Sequence, residues 1–167
     1  MFARRILEWG PIGRVRRIHG LEHATIHLLS AQEPYIRLVG RSTPSGFYLY
    51  GKVESERVAK AAAEALSRLR RGQATLAVHP RCGTNLAVVG IVAGLSSLVA
   101  STGRSRSALA KLPRVVLAAT VAAVAAQPLG IRVQKYVTTS PDLSALNIGK
   151  ITRQVRANTI THFVEVG

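Results

Sequence analysis

The sequence is poor in cysteine, in acidic residues and in aromatic residues. Its 167 residues contain one cysteine, eight Asp and Glu against 23 Lys and Arg, and 5% aromatic residues. The single Cys82 excludes a disulfide within the chain and a four-cysteine metal site, and it fits a reducing compartment or mixed metal ligands. The net charge is +15, yet 47% of the residues are hydrophobic. The chain is therefore not a disordered polycation, and its charge must lie beside a core or a bilayer.

Two long uncharged runs lie in the second half of the chain. Residues 82–103 and 115–131 carry no formal charge, and 86–100 is the most apolar part of the first run. About twenty helical residues, at about 1.5 Å each, cross the roughly 30 Å hydrocarbon core of a bilayer. A buried hairpin in a soluble protein is the competing interpretation. We favour a transmembrane hairpin, because a chain this small has too little other structure to bury both runs.

Basic residues flank both runs. The connecting segment, residues 101–114, carries four Lys and Arg and no acid, whereas the two outer flanks together carry seven. The larger number favours termini on the cytoplasmic side of the membrane, with anionic lipid headgroups as partners. At the N-terminus, apolar residues beside Arg4 and Arg5 are typical of a short interfacial helix or of a frayed end.

The remaining residues predict a small α+β portion built from both ends of the chain. Helices are expected from Arg14 to about Ser30 or Gln32 and from about Ser55 to Arg71. Short strands are expected at 35–39, 47–50, 74–78, 151–156 and 159–166, with a hairpin or tight loop at 40–46. The predicted fold class is thus α+β with a two-helix transmembrane hairpin. The predicted regions are 1–84, the hairpin 85–131 with its basic loop 101–114, and the C-terminal 132–167.

The strongest chemical signal is the string HGLEHATIH, residues 19–27. On a helix that turns about 100° per residue, Glu22, His23 and His27 lie within about 80° of His19, on one side. Two histidines four residues apart can bind one zinc ion, so the ligand pair is His19 with His23, or His23 with His27. The order H-x-x-E-H favours the first pair, with Glu22 as the base that activates water. A polar helix face without metal is the alternative.

A second signal is HPRCGTN, residues 79–85. His79 and Cys82 have a spacing at which a turn, supplied by Pro80 and Gly83, can direct both side chains at one ion. Cys82 would stand at the N-terminus of the first apolar helix, where the helix dipole favours thiolate. Thr84 or Asn85 is the predicted cap of that helix. A capped membrane entry with a buried thiol explains the same residues without metal.

Together, HGLEH and HPRCGTN resemble the YqhQ-like bacterial membrane proteins, which are described as predicted metal-dependent enzymes. The wider pattern, which includes LEHATIHLL, GFYLYG, AQPLG and VTTSPDL, is more similar to a related family of small bacterial membrane proteins of unknown function. This resemblance covers residues 15–148 and marks His19, Glu22, His23, His79 and Cys82. It implies a divalent metal, for which imidazole and thiolate ligands favour zinc. His27 matches only the smaller family and is the weaker candidate ligand.

Four further residues are weaker candidates. Asp142 fits a Ser-Pro-Asp turn better than a metal ligand, and His162 fits a surface position on a C-terminal strand. Ser42 and Ser45 are hydroxyl nucleophiles in type, but the sequence spacing fixes no base to either of them.

Three functions are consistent with these features. The first is a membrane-bound metal-dependent hydrolase, peptidase-like or acting on lipid-linked substrates, in which three ligands leave an open metal position. The second is a non-enzymatic membrane scaffold or oligomer subunit with a structural metal or a polar histidine cluster. The third, nucleic-acid binding through the net positive charge, is the least favoured, because the basic residues flank apolar runs and no common nucleic-acid motif is present.

Overall fold

The structure is a computed structural model that describes residues 7–102, 107–156 and 159–167. It divides into two compact units, one made of the chain up to residue 79 together with residues 135–167, and one made of residues 80–134. The predicted N-terminal interfacial helix falls mainly outside the described residues, as do residues 103–106 of the predicted basic loop.

The first unit is built around helix α1, Gly10–Gln32. Its start lies four residues before the predicted Arg14, because Pro11 occupies the first turn, where a missing N–H costs no hydrogen bond. Ile18, Leu21 and Leu29 are completely buried on this helix. Helix α2, Ser55–Arg70, packs beside it through Val58, Ala62 and their neighbours, in agreement with the predicted bounds.

Four antiparallel strands complete the first unit: β1 (Val39–Thr43), β2 (Gly46–Tyr50), β3 (Ile148–Arg156) and β4 (Thr159–Val166). Their order in the sheet is β1-β2-β4-β3, so the two central strands come from opposite ends of the sequence. Phe47 and Leu49 of β2 and Val164 and Val166 of β4 belong to the same buried core as α1 and α2. One face of the sheet is therefore closed by the helices.

Two predicted strands were placed wrongly. β1 occupies residues 39–43, most of which were predicted as a hairpin loop, and only residues 44 and 45 form the turn. The segment predicted as a strand at 74–78 instead contains a short 3-10 helix, Ala74–Ala77, and it is not part of the sheet formed by the described residues. The C-terminal strands at 151–156 and 159–166 are confirmed, with β3 extended to Ile148.

The second unit contains two long apolar helices, α3 (Gly83–Ser101) and α4 (Ala108–Val133). They pack against each other, and the Ser96 hydroxyl of α3 donates a hydrogen bond to the Ala118 carbonyl of α4 at 3.2 Å. α4 starts seven residues before the predicted apolar run and contains Pro113 and Pro128. A one-turn π-helix, Gln134–Thr138, follows it. The predicted α+β class with a pair of long apolar helices is thus confirmed.

Both apolar helical stretches are long enough to cross a membrane. Gly83–Ser101 and the continuous helical stretch Ala108–Thr138 each have a mean hydropathy of 1.7 over their most apolar part, and none of that part is buried. Large side chains such as Leu86, Ile91 and Leu98 are more than half exposed. Exposed apolar surface of this extent is typical of a segment that meets lipid or another protein.

Candidate metal centre

Three of the predicted ligands lie on one side of α1. His19, His23 and His27 are separated by four residues each, so successive rings stand about one turn apart along the helix. The ring centroids of His19 and His23 are 4.3 Å apart. His23 is almost completely buried at 2% exposure, whereas the other two are half-buried. Helix geometry alone therefore brings the favoured pair together, as the H-x-x-E-H spacing predicted.

Backbone carbonyl groups fix the orientation of this pair. His19 Nδ1 lies 3.0 Å from the Thr138 carbonyl oxygen, and His23 Nδ1 lies 2.9 Å from the Ala77 carbonyl oxygen. Since a carbonyl oxygen only accepts hydrogen bonds, each Nδ1 must carry the proton. In the neutral ring, the lone pair able to bind a metal is then on Nε2. A histidine that ligates metal typically has its other nitrogen held in this way, so both rings fit a metal centre.

His27 is held by the opposite ring nitrogen. Its Nε2 lies 2.8 Å from the Val78 carbonyl oxygen, so Nε2 carries the proton and the lone pair is on Nδ1. His27 is therefore not equivalent to His19 and His23, although the sequence places all three at the same spacing. This difference supports the first of the two predicted pairs.

His79 lies beside two of the helical histidines. Its ring centroid is 5.8 Å from that of His23 and 4.7 Å from that of His27, the latter in an edge-on arrangement. The 3-10 helix ends at Ala77, two residues before His79. Its last residue, Ala77, supplies the carbonyl group that holds His23, and the following Val78 supplies the one that holds His27. The structure thus brings four histidines together in the first unit.

Two residues that the sequence analysis did not select shape this centre. A Cβ atom at Gly20 would lie 2.4 Å from the Ser140 carbonyl oxygen, so glycine is needed for the close approach of residues 138–140 to α1. The buried Arg16 guanidinium donates hydrogen bonds to the Tyr136 and Thr139 carbonyl oxygens, at 3.1 and 3.0 Å. Together they hold the segment that contains the Thr138 carbonyl. The glycine beside His19 was the available sequence signal.

The Glu22 side chain lies against β1. It is 4% exposed, and its Oε2 accepts a hydrogen bond from the Ser42 hydroxyl at 2.5 Å. A Cβ atom at Gly40 would lie 1.9 Å from Glu22 Oε1, so only glycine leaves room for the carboxylate at this place on the strand. Ser42, for which spacing identified no base, is thus bonded to the predicted base itself.

Cys82 belongs to the second unit, where it caps helix α3. Its sulfur accepts a hydrogen bond from the Thr84 backbone N–H at 3.4 Å, so the cap is Cys82 and not Thr84 or Asn85 as predicted. Asn85 instead donates to the Pro80 carbonyl at 2.9 Å and accepts from Gln134. The donor atoms of His19, His23 and Cys82 are of the types that could hold a metal ion.

Two weaker candidates have structural explanations. Asp142 Oδ1 accepts hydrogen bonds from the backbone N–H and hydroxyl of Ser144, and these bonds lower the pKa of Asp142. The expected surface position of His162 is wrong, because this residue is completely buried and its Nε2 lies 3.1 Å from the Ser55 hydroxyl. His162 shares its side of β4 with Val164 and Val166, which belong to the core.

Comparison with known proteins identifies a family, but the matching proteins have no described biochemical activity. A family model described as a domain of unknown function (DUF6391) matches residues 14–151. An uncharacterized protein of the cyanobacterium Picosynechococcus sp. (strain PCC 7002) is 32% identical over 171 residues, covering 91% of this chain and 78% of that protein. No solved structure matches the chain. These matches fit the resemblance to a family of unknown function, and the resemblance to the YqhQ-like proteins stays a prediction.

Proposed function

The chain belongs to the DUF6391 family, and we propose that it is a membrane-bound metal-dependent hydrolase in which His19 and His23 bind a divalent metal. The observation that carries this proposal is the matched orientation of the two rings. In both rings Nδ1–H donates a hydrogen bond to a backbone carbonyl, so the lone pair that can bind a metal is on Nε2. Among divalent metals, zinc best suits imidazole and thiolate ligands.

The number of further ligands distinguishes a catalytic metal site from a structural one. His79 and Cys82 are the proposed sources, and Cys82 follows His79 by three residues in the sequence. One of them would complete three protein ligands and leave an open position, whereas both would close the site. Bound zinc supplies Lewis acidity, which polarises a carbonyl or phosphoryl oxygen and lowers the pKa of water to about 7.

Glu22 is the proposed proton acceptor for the attacking water. Its carboxylate is buried and one oxygen is held by the Ser42 hydroxyl, so a single orientation of the side chain is favoured. A carboxylate fixed within a protein interior is a suitable general base, because it needs no reorganisation when the proton moves. The substrate class that we propose is a peptide or a lipid-linked molecule.

The proposed location is the bacterial cytoplasmic membrane, with both termini on the cytoplasmic side. Support comes from two helices that are long and apolar enough to span it, and from the larger number of basic residues on their outer flanks. Anionic headgroups are the proposed lipid partners, and a second copy of the chain is a candidate protein partner.

A structural role is the alternative, and one specific observation favours it. All three histidines of α1 are bonded to backbone carbonyl groups, at Thr138, Ala77 and Val78, and these bonds hold the ends of the π-helix and of the 3-10 helix segment against α1. A closed metal site, or the histidines alone, would then stabilise a non-enzymatic scaffold or oligomer subunit.

Metal content tests the site directly. Mass spectrometry of detergent-purified protein should find about one ion per chain in the parent and none in a folded His19→Ala, His23→Ala double variant. His27→Ala is the matched control and should retain the metal, because its ring is held by the opposite nitrogen. A parent that stays empty after incubation with zinc would overturn the metal centre.

The variant Glu22→Gln separates catalysis from structure. Loss of hydrolase activity with the metal and the fold retained supports the base. Loss of folding, monitored by circular dichroism, supports the structural role.

A further inference from the structure

A cleft of about 500 Å³ lies in the first unit, and no histidine is among the described residues that line it. It is found where the chain leaves α1 and where β2 ends beside the start of β4, and Gly51 forms part of its wall by donating its N–H to the Ile160 carbonyl at 2.9 Å. A volume of this size falls within the range of small-molecule sites, about 300–1,000 Å³.

The charge of the cleft is positive. Arg37 and Lys52 both line it, and neither makes an ion pair with a carboxylate in the part of the chain that the structure describes. Glu33, the one acid among the described residues of its lining, is bonded to the Arg57 guanidinium at 2.7 Å, so its charge is already balanced. Two uncompensated cations facing one cleft favour an anionic ligand.

Aromatic rings supply the other part of the lining. Tyr35 and Tyr50 contribute to the cleft, and Tyr35 is 94% exposed, so almost its whole ring is available to a ligand. Tyrosine presents an apolar ring face with a hydroxyl at its edge, which suits a ligand with a planar or apolar part next to a polar one.

We infer that this cleft binds a phosphate-bearing organic anion, with the phosphate near Arg37 and Lys52 and its apolar or planar part against Tyr35 and Tyr50. Arginine and lysine are the usual partners of phosphate oxygens. A soluble phosphate ester and the headgroup of an anionic phospholipid share this chemistry. None of the described residues that line the cleft is a proposed metal ligand, so the inference does not rest on the proposed metal centre.

Calorimetric titration of the full chain in an uncharged detergent tests this inference. The soluble probe is adenosine 5′-monophosphate, with adenosine as its uncharged control. The lipid probe is dihexanoylphosphatidylglycerol below its micelle concentration, with dihexanoylphosphatidylcholine as its zwitterionic control. The parent should bind at least one phosphate probe roughly tenfold or more tightly than its control, and the probe that binds identifies the source of the ligand.

Variants separate the cleft from general electrostatic attraction. Arg37→Gln with Lys52→Gln should weaken binding at least about tenfold, the effect of losing one or two charge-assisted contacts. Lys60→Gln with Arg68→Gln removes the same charge from α2 and should stay within about twofold of the parent. Tyr35→Ser alters an exposed ring, leaves the core untouched and should also weaken binding. Failure of both probes to bind the parent, or equal losses in the two double variants, would overturn the inference.

Discussion

The two units of this chain differ in how far their apolar side chains are buried. The α+β unit closes Phe47, Leu49 and Leu21 into a core from which water is excluded, whereas the helical unit leaves Ile91 and Leu98 more than half exposed. The same residue types therefore stabilise one unit by burial and leave the other dependent on its surroundings. Such a contrast teaches that hydrophobic content alone does not distinguish a core from a membrane segment, and that burial does.

Truncation of the core should give the largest effect. Phe47→Ala removes a completely buried ring and should lower the free energy of unfolding by about 3–5 kcal/mol, or prevent folding. Leu98→Ala, on the exposed side of α3, should have much less effect in detergent. Thermal unfolding followed by circular dichroism measures both, and similar losses in the two variants would contradict the contrast between the units.

A charge in the helical unit should have the next largest effect. Ile91→Lys places an ammonium group in the middle of α3, which costs about 2.5–3.5 kcal/mol if that segment lies in a bilayer. Val39→Lys, at an equally exposed position on the edge strand β1, should change stability by no more than about 0.5 kcal/mol. The fraction of protein retained in carbonate-washed membranes is the measurement. Full retention of Ile91→Lys would argue against a membrane-spanning α3.

Glycine substitutions sharpen the comparison further. Gly40→Ala forces a methyl group onto the Glu22 carboxylate and should cost about 1–3 kcal/mol, the usual range for overpacking. Gly90→Ala meets no atom within 4 Å and should be neutral or stabilise the helix by up to about 1 kcal/mol. Adding Glu22→Ala to Gly40→Ala should restore part of the loss. Unfolding temperatures decide this, and a stable Gly40→Ala variant would be inconsistent with the described position of Glu22.

The smallest effect concerns pH and is confined to the first unit. Burial lowers the pKa of His162 below its ordinary value of 6.5, and the nearby Arg153 lowers it further, while Glu54 acts in the opposite direction. The unfolded chain therefore takes up a proton at a higher pH than the folded chain. This contribution to stability is fully present above pH 6.5 and is lost as the pH falls towards the lowered pKa.

Comparison with His162→Gln isolates that contribution from the other histidines. The unfolding temperature of the parent should fall more steeply than that of the variant between pH 7.5 and 5.5. Parallel curves would show that His162 titrates in the folded protein much as it does in the unfolded one.

Local periodicity was sufficient to predict α2, the C-terminal strands and the apolar helices, and the four-residue spacing was sufficient to place the His19 and His23 rings close together. These features depend on residues close together in the sequence. β1 was missed because its inward positions, Gly40 and Ser42, meet the Glu22 side chain and so lack the apolar alternation by which strands are recognised. The hydrogen bond between Glu22 and Ser42 joins residues twenty positions apart. It could not be predicted without knowing where β1 lies in the sheet.

Other parts of the centre depended on long-range contacts. The carbonyl groups that orient the two rings come from residues 77 and 138, and nothing in their sequence identifies them as acceptors. His162 is a different case, because its position two residues before Val164 places it on the inward side of β4 by simple alternation. The expectation of a surface histidine overlooked that signal.

The order of strands in the sheet has a consequence for synthesis of the protein. β4 lies between β2 and β3, yet it is translated only after both apolar helices. At a translation rate of about 5–20 residues per second, β4 is synthesised roughly 5–20 s after β2. During this interval Phe47 and Leu49 lack two of the four strands of their sheet, and the hairpin is completed before β4 is made. The ribosome-bound chain thus exposes two apolar surfaces at once, the incomplete core around β2 and the apolar hairpin. Early insertion of the hairpin into a membrane would prevent these two surfaces from associating with each other.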